Sequence, residues 1–177
     1  MNFYSEDIIS NLDSPEKKQE FRYNSEKIIQ RYLQRDIQSK YISNLFRDPK
    51  NKWVFYCMDF DFSIDNCPSV LVYHKYIDKK QNELKYYILL ICTKHQFKKQ
   101  GYASKLLDGF LERVKQENIH NEFSRIKIIL SSIEESVLFY ESYGFIWTTD
   151  TLLDHKILLK YEKYEKDKEY FILQLSL

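Results

Sequence analysis

The stretch His95–Leu107, HQFKKQGYASKLL, joins an almost wholly apolar run to an amphipathic one and carries one of only three glycines in the 177-residue chain. Glycine serves where backbone turns sharply or must approach a ligand closely. Gly101 sits between the two runs, so its position decides what kind of fold the flanking segments build. Upstream, Glu83–Thr93 (ELKYYILLICT) is apolar on consecutive residues, the pattern of a strand covered on both faces. Downstream, Leu106, Leu107, Phe110, Leu111 and Val114 recur on one side of a helix, with Lys105, Asp108, Glu112, Arg113 and Lys115 mostly opposite. A central strand feeding a glycine loop that opens a helix presents unpaired N–H groups and the positive helix end to an anion. Ala103 keeps the first turn small, and Lys98 and Lys99 add local positive charge, though lysines in a loop are ordinarily just solvated.

Working outward, RIKIILS (125–131) reads as the next strand, which makes strand, helix and strand a right-handed parallel crossover. Before the central strand, KWVFYCMDF (52–60) and SVLVYHKYI (69–77) are two further strands. Their polar connectors, DFSIDNCP and DKKQN, predict an antiparallel meander. Asp13-Ser14-Pro15-Glu16 is a helix start. The apolar spacing from Phe21 to Phe46 predicts two helices with a break near Asn24-Ser25, the second stopped by Asp48-Pro49. Glu134–Tyr143 reads as a short helix ended by Gly144 in the left-handed conformation. FIWTT (145–149) and EYFILQLSL (169–177) read as closing strands, and residues 150–168 fit part helix and part hairpin extension.

Composition narrows the function classes. With 27 basic and 26 acidic residues and a formal charge of +1, no global field draws the chain to nucleic acid or an anionic membrane. Cys57, Cys67 and Cys92 are odd in number and lack Cys-x-x-Cys spacing, which argues against a disulfide framework and a zinc site. No segment approaches the roughly 18 apolar residues of a membrane span. These features predict a soluble intracellular protein, cytoplasmic or nuclear, folded as one domain over residues 1–177. The many aromatics lie in segments that also read as core, so packing explains them better than base stacking does.

The loop resembles the acetyl-CoA loop of the GNAT superfamily of N-acetyltransferases: Gln or Arg, two variable residues, Gly, one variable residue, then Gly or Ala. Lys98-Lys99-Gln100-Gly101-Tyr102-Ala103 fits, with Lys98 in place of Gln or Arg. A second stretch, SVLFYESYGF (Ser136–Phe145), resembles the family helix with Phe-Tyr, three residues and Gly-Phe. Ile133 stands where many members have an asparagine. A Walker loop would need Gly-Lys-Ser/Thr and a Rossmann fingerprint three glycines, and neither is present.

The resemblance implies an α/β (α+β) GNAT-like acyl-CoA N-acyltransferase fold, its mixed, mainly antiparallel sheet flanked by helices. It implies that the backbone of Lys98, Lys99, Gln100, Gly101, Tyr102 and Ala103 cradles the pyrophosphate of acetyl-CoA, the co-substrate. Ile91, Cys92 and Thr93 would pair with the pantetheine arm. Tyr140 falls on the general-acid tyrosine that protonates the departing thiolate, and its plainer reading is a core aromatic. Members with a carboxylate base usually carry it on the central strand, but Leu84–Thr93 has none. Glu83, Tyr87, His95, Asp59, Asp61 and a water chain are the alternatives, and Cys92 reads as a packed strand residue rather than a nucleophile. The implied acceptor is a protein or peptide amine, lysine or N-terminal. The other readings are a small-molecule amine, and a non-catalytic CoA-binding or structural subunit of a larger assembly. An acidic cleft built from Asp59, Asp61 and Asp65 would favour a basic peptide.

Overall fold

The computed structural model describes residues 2–5, 15, 16, 19, 23, 26, 39–58 and 66–177. The expected helix start at Asp13-Ser14, the break near Asn24-Ser25 and the acidic cluster Asp59, Asp61 and Asp65 lie outside them. Of the N-terminal pair, the second helix is seen as α1 (Ser39–Arg47), which stops just before Asp48-Pro49.

Seven strands pair in one mixed sheet: β1 (Asn2–Ser5), β2 (Asn51–Cys57), β3 (Ser69–Asp78), β4 (Glu83–Thr93), β5 (Arg125–Ser132), β6 (Ile146–Trp147) and β7 (Phe171–Ser176). Their spatial order is β1-β2-β3-β4-β5-β7-β6, so β4 holds the centre, as its unbroken apolar run predicts. Only a hairpin can join the neighbours β3 and β4 through the four-residue turn 79–82, which makes them antiparallel. Asn82 gives that turn its left-handed residue, with φ 52°. The β4–β5 pair is parallel, from Glu83 opposite Arg125 to Ile88 opposite Leu130, and the intervening helix α2 (Tyr102–Glu117) is the expected crossover. Both β1–β2 and β5–β7 are antiparallel, as is β6–β7.

The chain divides into two compact units, Met1–Val72 with Leu90–Asn118, and Tyr73–Leu89 with Ile119–Leu177. In the first, α2 packs on β2 through the predicted stripe: Leu106, Leu107, Phe110, Leu111 and Val114 are all buried. Phe46 of α1 meets Trp53 of β2 with ring centroids 4.8 Å apart. The side chain of buried Asn51 donates to the Leu45 carbonyl at 2.8 Å, satisfying the end of α1. Asn118 closes α2 in the same way, donating to the Val114 carbonyl at 2.7 Å. Leu107 is fully buried, so Leu107→Ala is expected to cost roughly 2–5 kcal/mol, read as a lower urea midpoint with unchanged slope.

In the second unit β5 and β7 bury Ile128, Ile129, Leu130, Ile172 and Leu173. Three expectations are corrected here. The helix over 134–143 is a 3-10 turn, Glu134–Ser136, followed by α3 (Val137–Glu141), because Ile133 has no side chain able to cap a first α-turn. The strand over 145–149 keeps only Ile146–Trp147: the Thr148 hydroxyl accepts from the Asp150 N–H at 3.3 Å and turns the chain away. Residues 150–168 contain no hairpin extension but a 3-10 turn, Leu152–Asp154, and α4 (Lys156–Leu159). Gly144 does end the α3 segment in the left-handed region, at φ 94°.

Candidate active site

The loop that opens α2 is built from alternating backbone hands. After β4 a 3-10 turn, His95–Phe97, reverses the chain, and the Lys98 N–H donates to the His95 carbonyl at 3.3 Å. Lys99 then takes φ 60° and Gly101 φ 83°, both left-handed, on either side of Gln100. Such alternation turns successive N–H groups toward one concavity, an anion-binding arrangement. Gly101 is the N-cap of α2 and offers no capping side chain; the helical ladder starts where the Lys105 N–H donates to the Gly101 carbonyl at 3.1 Å. The N–H groups of Tyr102 and Ala103 therefore precede the ladder and have no intrahelical acceptor. No acidic side chain occupies the first turn, and a Cβ built on Gly101 meets nothing within 4 Å. Space, exposed donors and absence of negative charge suit a pyrophosphate.

The loop is braced by aromatic packing rather than by charge. Tyr102 lies 5.8 Å from Phe97 and 5.6 Å from Tyr56 between ring centroids. The Lys105 ammonium sits over both tyrosines, 5.4 Å from Tyr102 and 5.6 Å from Tyr56. Lys98 and Lys99 are exposed, and Ile91, Cys92 and Thr93 are half-buried at the end of β4. Cys57, Cys67 and Cys92 form no disulfide, and no cluster of metal-binding side chains occurs among the described residues.

Tyr140 is half-buried on α3 with Phe139 and Phe145 at ring-centroid distances of 5.1 and 5.7 Å, both edge-on. Its carbonyl accepts from the N–H groups of Tyr143 and Phe145, so the Gly144 turn fixes the helix that carries the ring. Among the alternatives for a base, His95 is exposed in its 3-10 turn. Glu83 is buried and committed to an ion cluster: Lys127 reaches it at 2.9 Å, Lys85 at 3.7 Å, and Lys85 also holds Asp78 at 3.1 Å.

Tyr87 is different. Its hydroxyl lies 3.1 Å from Nδ1 of His155, whose Nε2 lies 2.9 Å from an Asp150 carboxylate oxygen. Tyr87 and His155 are buried, and the rings meet edge-on. A carboxylate only accepts, so the network assigns the proton to Nε2 and leaves Nδ1 to accept from Tyr87. Burial, then the charges of Tyr76, Asp78, Asp150 and Glu83, push the Tyr87 hydroxyl above the ordinary tyrosine range. Stability linked to this group is therefore whole below the unfolded tyrosine value and falls as pH rises beyond it, because the unfolded chain releases the proton first. Tyr87→Phe is expected to flatten the alkaline loss of stability by one proton, checked by urea unfolding between about pH 9 and 11. Sequence reading reached Tyr87 but missed His155 and Asp150.

Residues 73–164, just over half of the 177, match the acetyltransferase (GNAT) domain family. The chain belongs to the GNAT acetyltransferase family. No curated protein matches its sequence. Among solved structures it is similar to Tetrahymena GCN5, at 14% identity and TM-score 0.59 over 99% of this chain and 96% of that one. It is similar to a chain of the NatC complex bound to Gag peptide and CoA, at 14% identity and TM-score 0.57 over 100% and 99%. The ribosomal-protein-alanine N-acetyltransferase of Brucella melitensis biovar Abortus 2308 gives 14% and 0.52 over 73% and 91%. At such identities the likeness is one of fold. Among the described residues no helix is long and apolar enough to cross a membrane.

Proposed function

We propose that residues 1–177 act as one acetyl-CoA-dependent N-acetyltransferase domain whose acceptor is a primary amine of a protein or peptide, lysine or N-terminal. The observation that carries the reading is the loop of Lys98–Ala103, with left-handed Lys99 and Gly101 ahead of an uncapped, acid-free helix start. Its backbone N–H groups hold the pyrophosphate, and the backbone of Ile91, Cys92 and Thr93 takes up the pantetheine amides. Tyr140 donates a proton to the CoA sulfur as the C–S bond breaks, stabilising charge that develops only in the transition state. The choice of a peptide amine rests on the resemblance of the QGYA loop and charged helix to protein-modifying members.

Incubation with acetyl-CoA and a pool of peptides with free N-termini or lysines, beside a polyamine panel, tests this by mass spectrometry. Acetylated peptide is the expected product. Acetylated polyamine alone moves the acceptor to small molecules, and no product from either leaves the fold to a non-catalytic subunit of a larger assembly.

A further inference from the structure

We propose that Tyr87, His155 and Asp150 form the proton path that deprotonates the acceptor amine, an assignment that rests on the acetyltransferase reading above. The acceptor reaches the reaction as an ammonium and must become a neutral amine before it attacks. Tyr87 projects from β4 four residues before Ile91, about 13 Å along the strand. In the acetyltransferase reading above, Ile91–Thr93 of the same strand take up the pantetheine arm. Glu83, the carboxylate of β4, lies at the start of the strand, four residues before Tyr87, and is paired with Lys127 and Lys85.

The chain has the parts that such transfer needs. A Tyr87 hydroxyl that stays neutral donates to Nδ1 while a lone pair on the same oxygen faces away from His155. Tyr87 is 3% exposed, so the ammonium meets it through one water rather than by direct contact. An ammonium proton passes to the Tyr87 oxygen as the Tyr87 proton passes to His155 Nδ1. The imidazolium so formed is paired with Asp150 at 2.9 Å. The Asp150 side chain is 39% exposed, which gives the proton an exit to solvent. The amine nitrogen then bonds to the thioester carbon, the C–S bond breaks, and the sulfur takes its proton from Tyr140. The second proton lost by the nitrogen restores Tyr140 through solvent. Ammonium and acetyl-CoA thus give amide, CoA thiol and one released proton. The groups facing Tyr87 are Tyr76 and Asp78 of β3, Glu83 of β4, His155, and Asp150 ahead of the 3-10 turn. Lys85 bridges Asp78 and Glu83, and Lys127 also pairs with Glu83, which leaves Asp150 as the carboxylate in contact with the imidazole. Tyr87 receives the proton, and His155 and Asp150 act through it as positioning residues.

The test measures acetyl-CoA affinity by calorimetry and the pH profiles of kcat and kcat/KM for wild type, Tyr87→Phe, His155→Gln, Asp150→Asn and Asp150→Glu. Tyr87→Phe and His155→Gln are expected to lower kcat by roughly 100-fold with acetyl-CoA affinity within about twofold. His155→Gln removes the acidic limb of the profile. Asp150→Asn lowers kcat at unchanged acetyl-CoA affinity, since the imidazolium formed on His155 loses its counter-charge, and Asp150→Glu restores it. A merely structural role leaves the limb in place. Because the Asp150 side chain is part-exposed, the Asp150 pair remains informative should either buried variant fail to fold. Folded variants that bind acetyl-CoA and keep the wild-type kcat and acidic limb overturn the path and spare the acetyltransferase reading. A wild type that does not bind acetyl-CoA, or binds it and acetylates no amine, overturns both.

Discussion

Gly101→Val is expected to weaken acetyl-CoA binding by at least about tenfold, a loss of about 1.4 kcal/mol, in a chain that still folds. The reason lies in the backbone. At φ 83° a β-branched residue is strained, whereas the space around the missing Cβ is open, with nothing within 4 Å. Left-handed geometry costs an ordinary residue roughly 1–2 kcal/mol, which a domain withstands but an exposed loop relieves by rotating its peptide planes. Rotation at Gly101 turns the N–H groups of the helix start out of the concavity. Gly101→Asn separates conformation from side-chain bulk, because asparagine tolerates the left-handed region. The asparagine variant should retain most of the affinity that valine loses. Equal loss in both would point to crowding of the ligand, and no loss in either would remove the loop from CoA binding.

Tyr140→Phe is expected to reduce kcat by about 100- to 1000-fold with acetyl-CoA affinity and acceptor KM nearly unchanged. The phenylalanine ring keeps the edge-on packing against Phe139 and Phe145, and the carbonyl that accepts from Tyr143 and Phe145 is untouched. In the proposed mechanism the lost hydroxyl acts only as the C–S bond breaks, so the expected deficit belongs to kcat. The profile of that loss distinguishes Tyr140 from Tyr87. Loss of a general acid raises sensitivity to the leaving group, while the acidic limb assigned to His155 stays. A Tyr140→Phe chain with wild-type turnover would return the ring to the role of core aromatic.

Much of this architecture is legible in the sequence because it is written in local periodicity. The 3.6-residue stripe of α2, the unbroken apolar run of β4 and the glycine that ends α3 each state a local requirement that the fold meets. The weaker readings are those in which local pattern competes with a particular hydrogen bond. FIWTT has strand-forming residues throughout, yet the Thr148 hydroxyl bonds to the Ile172 carbonyl and the Asp150 N–H and ends the strand after Trp147. Lys99 is a harder case still, since a left-handed lysine between a 3-10 turn and a glycine cap has no sequence signature. Partners distant in sequence are the least legible. Tyr87 and His155 are 68 residues apart, and nothing in LLDHKILL marks its histidine as the neighbour of a β4 tyrosine. Glu83 reads as an acid at a strand start, and only the arrival of Lys127 from β5 shows it to be paired.

Calorimetric titration of acetyl-CoA into the wild-type chain addresses the central claim most directly. Saturable one-to-one binding that Gly101→Val weakens and Gly101→Asn largely keeps is the predicted result. Absence of binding by a folded wild-type chain would contradict the account at its root.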